Sequence, residues 1–274
     1  MIIVMPMEYT NHYRGMLRYV NAHWPPYLLG SGCAVLLLIL IIFSLNYGWY
    51  SVTFLALALL IILIYFLAAS LWTAHQIYDH ETLGRLIQSI HHIDPDETIV
   101  DLHLWSKSTA VWISRRLTTG QVISIDVYNP QITTGSHLKR LRRTELKPMS
   151  DPRLSWRDAD FTLLPLPDKS VPAVTLVESL SEFWQEGDRL KLLKEIYRIL
   201  EPGGKLLLVE PMSTTANLLL KGPGIFRLRP MKYWHDLLVG NDFVFNKWEA
   251  DRDIITCLLV SRSDDPDFEQ YRLL

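Results

Sequence analysis

The chain has 274 residues, 49% of them hydrophobic, and a formal net charge of -2 at pH 7. That length holds one ordinary globular domain and leaves an apolar surplus, while the near-neutral charge argues against a generic nucleic-acid binder. Two cysteines, Cys33 and Cys257, offer neither a disulfide framework nor a metal-ligand spacing, so reduced thiols and no metal site are expected.

The surplus is local, because no Asp, Glu, Lys or Arg lies between Arg18 and Asp79. Residues 1–26 mix Tyr, His, Asn, Arg14 and Arg18 with Trp24-Pro25-Pro26, which suits a membrane interface; no cleavable secretory signal is evident. Residues 27–45 and 50–71 are each long enough to cross a hydrocarbon core of roughly 30 Å at about 1.5 Å per residue. Asn46-Tyr47-Gly48-Trp49 between them is an uncharged aromatic turn, so residues 27–72 are expected to form an antiparallel transmembrane hairpin. The competing reading is a buried helical hairpin of a soluble protein. Arg14, Arg18 and Arg85 flank the outer ends and the turn has no cation, so both termini and the globular domain are expected on the cytoplasmic side of an integral membrane protein. Residues 73–93 are expected to connect the hairpin to that domain. Within them Leu83, Leu86, Ile87 and Ile90 share one helical face, and Asp94-Pro95 ends the helix.

Further on, Leu164-Pro-Leu-Pro-Asp168 is a proline-stiffened loop, and Ala173–Val177 is a short apolar run of strand length. From Asp188 to Leu200 the apolar residues Leu190, Leu193, Ile196 and Leu200 recur at helical spacing. Glu201-Pro-Gly-Gly204 stops that helix, and Leu206–Val209 is a second buried strand. The unit is strand, helix, strand.

Leu164-Pro-Leu-Pro-Asp168 followed by Lys194-Glu-Ile-Tyr-Arg-Ile-Leu-Glu-Pro-Gly-Gly-Lys-Leu-Leu-Leu-Val-Glu-Pro211 resembles the second half of a class I S-adenosylmethionine-dependent methyltransferase of the kind that methylates quinones and other small lipophilic molecules. The resemblance implies an α/β, Rossmann-like fold over residues 94–262, with a mostly parallel sheet and helices on both faces. Its first strand would begin at Thr98-Ile-Val100, its second would be Val122–Ile125 and its third would lie near Leu154–Trp156. Phe243–Ala250 and Ile255–Val260 resemble the antiparallel terminal strands, and residues 263–274 form an acidic tail.

The implied cofactor, S-adenosylmethionine, would sit at the carboxyl ends of the strands. The loop after the first strand is normally acidic-x-Gly-x-Gly-x-Gly, since backbone must approach the ligand there. Here it reads Asp101-Leu-His103-Leu-Trp105-Ser-Lys107. His103, Trp105 and Lys107 replace the three glycines, so positive backbone angles would be costly and the cofactor is expected either in an altered pose or lost. By the same resemblance, Asp101, His103 and Trp105 line the cofactor. Asp126 would contact the ribose, Asp160 (or Asp158) the adenine, and Glu178 and Ser179 would end the fourth strand at the site. Pro172 replaces an aspartate. Tyr233 and His235 are candidates near the acceptor, each also readable as structural. His91-His92 lacks metal-ligand spacing.

His137–Lys147 carries Lys139, Arg140, Arg142, Arg143 and Lys147. This basic helix is either a solvated face or a contact for anionic lipid. Two functions follow from the whole. One is a membrane-anchored methyltransferase acting on a quinone, pigment precursor or lipid. The other is a catalytically inactive methyltransferase-fold subunit whose hairpin packs against other transmembrane subunits of a membrane complex. Glycine at 105 and 107 should restore or enhance cofactor binding if the rest of the fold is intact.

Overall fold

The structure is a computed structural model that describes residues 13–79, 82–90, 93–144, 151–221, 225–226 and 228–263. His91-His92, Lys147 and all but the first residue of the acidic tail lie outside the described residues. The chain divides into two units, residues 1–82 with 219–222, and the remainder.

In the first unit, α1 (Arg14–Ala22) is followed by α2 (Trp24–Asn46) and α3 (Tyr50–Tyr78). The proline pair falls at the start of α2, where a missing N–H costs nothing. Both long helices are apolar all round, with mean hydropathies of 2.7 and 2.8, and they are long enough to cross a membrane. Polar groups join them to each other rather than to solvent. Ser44 Oγ meets Thr53 Oγ1 at 2.7 Å near the turn, and Tyr27 OH meets Ser70 Oγ at 2.7 Å toward the other end. Gly30 lets the helices approach, since a Cβ there would come within 3.1 Å of the Leu67 side chain.

α3 runs seven residues beyond the expected end of its span, and its extension carries the buried Thr73, Ala74 and Ile77. Asp79 just after it accepts hydrogen bonds from the N–H groups of Gly15 (2.6 Å) and Met16 (3.2 Å), and its carboxylate also meets His75 Nδ1 at 2.9 Å. The connecting segment is therefore not one helix. Asp79 caps α1, and a separate α4 (Thr82–Ile90) follows. Asp79→Ala should release this cap, costing about 1 kcal/mol, and should be read as faster hydrogen exchange at the amides of Gly15 and Met16.

The second unit is a seven-stranded sheet in the order β3-β2-β1-β4-β5-β7-β6. Its strands are β1 (Thr98–His103), β2 (Gln121–Asp126), β3 (Leu154–Asp158), β4 (Val171–Val177), β5 (Leu200–Glu210), β6 (Phe243–Asp251) and β7 (Ile255–Arg262). The first five are parallel, and β7 runs antiparallel to both β5 and β6. The order reverses between β1 and β4, which opens a crevice at their carboxyl ends. The helices are α5 (Ser108–Ser114), α6 (Ser136–Thr144), α7 (Glu186–Ile199), α8 (Thr215–Lys221) and α9 (Met231–Val239). One face of the sheet buries Val100, Leu102, Val174, Leu176, Leu206 and Leu208 with Leu192, Leu193, Ile196 and Ile199 of α7.

The two halves of the sequence motif are physically joined. Arg198 donates to the carbonyls of Leu164 and Leu166 and pairs with Asp168 and Glu195, while Glu195 accepts from the N–H of Leu164 at 2.9 Å. The proline loop is thus strapped to α7 at the spacing the sequence displays. Pro172 lies inside β4 at a register shift between Val171 and Ala173, as expected for a residue without a donor. β1 extends to His103, three residues past the expected Thr98-Ile-Val100, and α7 stops at Ile199 because Leu200 already pairs with Val171.

Candidate functional site

The carboxyl ends of β1 and β2 carry a buried polar cluster. Asp101 accepts hydrogen bonds from Thr175 Oγ1 of β4 (3.0 Å) and Ser124 Oγ of β2 (3.3 Å). It therefore ties three strands together beneath the crevice. His103 approaches Ser124 Oγ through Nδ1 at 3.1 Å, and its buried Nε2 has no hydrogen-bond partner. Burial lowers the imidazole pKa to about 4. Lys107 and Arg142 act in the same direction, and the Asp126 charge opposes them. An imidazole neutral when folded adds stability that is lost as pH falls from 6.5 toward about 4. NMR titration of this ring should accordingly show no protonation at pH 6.

The rebuilt loop avoids the backbone strain that its side chains would have met in a glycine conformation. The non-glycine residues with positive φ among those described are Lys169, Glu178, Asp242, Arg252 and Asp253, so residues 103–107 keep ordinary backbone angles. β1 simply continues through His103, paired with Asp126, before the chain turns into α5. Leu104 is fully buried and Trp105 packs against the main core. Lys107 Nζ lies 5.3 Å from the Trp156 ring, whose plane also meets His103 edge-on.

Asp126, Asp158 and Asp160 come together around an open cavity of about 430 Å³ at the ends of β2 and β3, with Tyr128, Arg142 and Ala159 completing the lining. Sequence reasoning placed Asp126 and Asp160 at one ligand and held Asp158 in reserve. All three line the same space. Asp160 accepts from Thr162 N (2.8 Å) and Thr162 Oγ1 (2.6 Å), which hold its carboxyl below the usual range. It is a turn cap as well as a wall of the cavity.

Arg142 was expected on an outward basic face, and the structure corrects this. Its guanidinium turns in and grips Asp126 with two bonds of 2.9 and 2.6 Å, donates to the Leu104 carbonyl, and lies 4.2 Å from the centre of the Tyr128 ring. The bidentate geometry suits a guanidinium and a carboxylate. Lys139 and Arg143 remain exposed, and Arg140 is half-buried.

Glu178 ends β4 with φ 45°, an uncommon backbone state for a side-chain-bearing residue, and its N–H is held by the Val209 carbonyl at 2.8 Å. The next residues form a short 3-10 turn, Leu180–Glu182. One oxygen of Glu210 accepts from the N–H groups of Ser179 (3.0 Å), Leu180 (2.7 Å) and Ser181 (3.3 Å), while the other is buried without a partner. Burial outweighs these donors, and with the nearby Glu178 charge adding to it the Glu210 carboxyl is pushed up to about 8. Glu210 was missed in the sequence. The signal was present as an acidic residue closing an otherwise apolar strand, Leu206-Leu-Leu-Val-Glu210.

Tyr233 and His235 lie on α9, which precedes β6 at the sheet edge opposite β3. Tyr233 OH accepts from Arg189 Nη1 (2.6 Å) and donates to Glu186 (3.1 Å), joining α9 to the start of α7. His235 is exposed beside Phe245 of β6. Neither lines the three-aspartate cavity.

The adenosine end of S-adenosylmethionine fits this arrangement by residue type, with carboxylates at the ends of β2 and β3 for ribose hydroxyls and an adenine edge. At Asp126 it would have to displace Arg142. The methionine end would meet side chains where backbone is usual, and His103 and Trp105 are the residues that would border that half.

Residues 106–208 match the family model described as a methyltransferase domain. A demethylmenaquinone methyltransferase from Thermus thermophilus is 29% identical over 112 residues, which cover 41% of this chain and 46% of that protein. The matched stretch is thus about half the length of that relative. Among solved structures, a SAM-dependent methyltransferase from Aquifex aeolicus superposes with a TM-score of 0.50 at 15% identity, covering 66% of this chain and 89% of its own. Human N-acetylserotonin methyltransferase in complex with SAM gives 0.50 at 17% identity, over 71% of this chain and 56% of that one. The match covers the motif region, and the sheet order agrees with the fold that the motif implied. The α/β unit is similar over its motif region to a methyltransferase domain and has the fold of these S-adenosylmethionine-dependent methyltransferases.

Proposed function

We propose that the protein transfers a methyl group to a lipophilic small molecule of the quinone class from a position at the bilayer, into which α2 and α3 insert. The observation that carries the reading is the convergence of Asp126, Asp158 and Asp160 on one cavity at the carboxyl ends of β2 and β3, within a domain related to a quinone methyltransferase. A sulfonium cofactor supplies the electrophile, so the chain's own task is alignment and exclusion of water rather than acid-base chemistry. A bilayer anchor adds proximity, since an apolar acceptor need not cross water to reach the domain. The cations Arg14, Arg18 and Arg85 favour cytoplasmic termini.

The test is transfer of labelled methyl from S-adenosylmethionine to demethylated quinols co-reconstituted with the full chain in liposomes. Label in the quinol fraction supports the reading. A protein that binds the cofactor and labels no quinol contradicts the acceptor class. One observation favours the second reading, an inactive subunit of a membrane complex. It is the Arg142 guanidinium seated on Asp126, the carboxylate that the first reading gives to the ribose.

A further inference from the structure

We infer that the loops at the carboxyl edge of the sheet beyond β4 and β5 enter the headgroup region of a lipid bilayer, with Trp184 and Phe226 as their apolar contacts. The inference rests on the reading that α2 and α3 span a membrane.

The two rings are anomalous in this domain. Phe161, Phe183, Trp234 and Phe243 of the same domain are buried to within 1% of full and Trp248 on β6 is 54% exposed, whereas Trp184 is 84% exposed and Phe226 is 87% exposed. Trp184 is not a dangling residue. Phe183, immediately before it, is fully buried in the core, and the turn they leave is fixed by the three N–H groups that Glu210 accepts. The loop thus presents one ring inward and the next outward from a rigid base.

Phe226 stands in the connection between β5 and α9. The base of that connection is pinned where Met212 bridges Arg229 and Ser213 donates to the Arg229 carbonyl, and Leu228 N–H closes a turn on Ile225. Leu218 on α8 adds a third exposed apolar side chain to the same connection. The starts of α7 and α9, which carry the two loops, are joined by Tyr233 between Arg189 and Glu186. The loops that carry Trp184 and Phe226 both follow the carboxyl ends of the parallel strands β4 and β5, the edge at which this fold receives its ligands.

A bilayer is the occupant the chain itself supplies. The same polypeptide carries two helices of mean hydropathy 2.7 and 2.8, so lipid is held at high local concentration around the domain. Aromatic rings flanked by cations suit the headgroup layer, and Arg229 and Lys232 are exposed at the start of α9, Arg229 lying over the Tyr233 ring. The acidic neighbours are engaged locally, Glu182 with His137 and Glu186 with Tyr233. In this arrangement a lipophilic acceptor enters the domain from the lipid side.

The test uses the full chain with Cys33→Ser, leaving Cys257 buried, and an environment-sensitive dye on Trp184→Cys or Phe226→Cys. Gln121→Cys, exposed at the opposite end of β2, is the control. Each is reconstituted into phosphatidylcholine and phosphatidylglycerol liposomes with and without headgroup-depth nitroxide lipid. The expected result is emission at shorter wavelength and quenching by the nitroxide at 184 and 226 but not at 121. Quenching of all three by aqueous iodide alone would overturn the inference. If carbonate extracts the chain from the liposomes, the spanning reading fails with it. If the chain stays inserted and the dyes stay in water, only the loop contact fails.

Discussion

Replacing Arg142 with leucine is expected to tighten S-adenosylmethionine binding roughly tenfold, the equivalent of about 1.4 kcal/mol. In the native structure both Asp126 oxygens are taken by the guanidinium at 2.9 and 2.6 Å, so ribose hydroxyls must displace a charge-assisted pair before they can bond there. The pair is partly open to solvent, which keeps its strength modest and the exchange reversible. Leucine removes the competitor, together with the guanidinium's contact with the Tyr128 ring. Calorimetry of the variant beside the native chain checks this. Unchanged or weaker binding would mean that Arg142 holds the ligand itself. A drop in the melting temperature of the free protein is expected as well, since Asp126 would keep only the Tyr128 N–H as a partner.

Glu210 should matter more to stability than any other single polar side chain in the domain. Glu210→Ala strands three N–H groups of the 179–181 turn in the core, at a cost of about 2 to 4 kcal/mol. Glu210→Gln keeps an acceptor in the same place and should cost little. The pair of variants separates lost hydrogen bonding from lost charge. Because the folded carboxyl stays neutral up to about pH 8 while the unfolded one ionises near 4.5, its contribution is complete below pH 4.5 and drains away as pH rises toward 8. Glutamine should flatten that part of the stability profile, which thermal unfolding of the solubilised chain followed by near-ultraviolet circular dichroism would show. An alanine variant as stable as the native chain would contradict the capping role.

Much of the domain was legible because its rules are local or periodic. Leu190, Leu193, Ile196 and Leu200 announced α7, and the continuous apolar runs announced β4 and β5. The Leu-Pro-Leu-Pro-Asp loop and the Glu195 to Arg198 segment were recognisable together because they bond to each other, so their residue types are coupled. The length of β1 was not legible. With glycines the chain would turn after Asp101, but His103 is compatible with strand geometry and pairs with Asp126, so the strand runs on. Arg142 was misplaced for a different reason. A run of cations at helical spacing looks like a solvated face, and nothing local reveals that one of them meets a carboxylate 16 residues earlier in the chain. The break after α3 was hidden likewise, because Asp79 takes its partners from Gly15 and Met16, 64 and 63 residues away. Asp126 and Asp158 were placed beside one cavity because they end β2 and β3, and a strand end is readable from pattern. Glu210 escaped because its partners are backbone groups of another loop, which no side-chain motif records.

The function proposed for this domain requires that it hold its cofactor despite the rebuilt loop. Calorimetric titration of S-adenosylmethionine and S-adenosylhomocysteine into the detergent-solubilised full-length chain is the measurement that decides it. The prediction is micromolar binding that tightens in Arg142→Leu and is lost in Asp126→Ala. No heat up to millimolar ligand, in the native chain and in Arg142→Leu alike, would contradict it and leave the domain as a structural subunit.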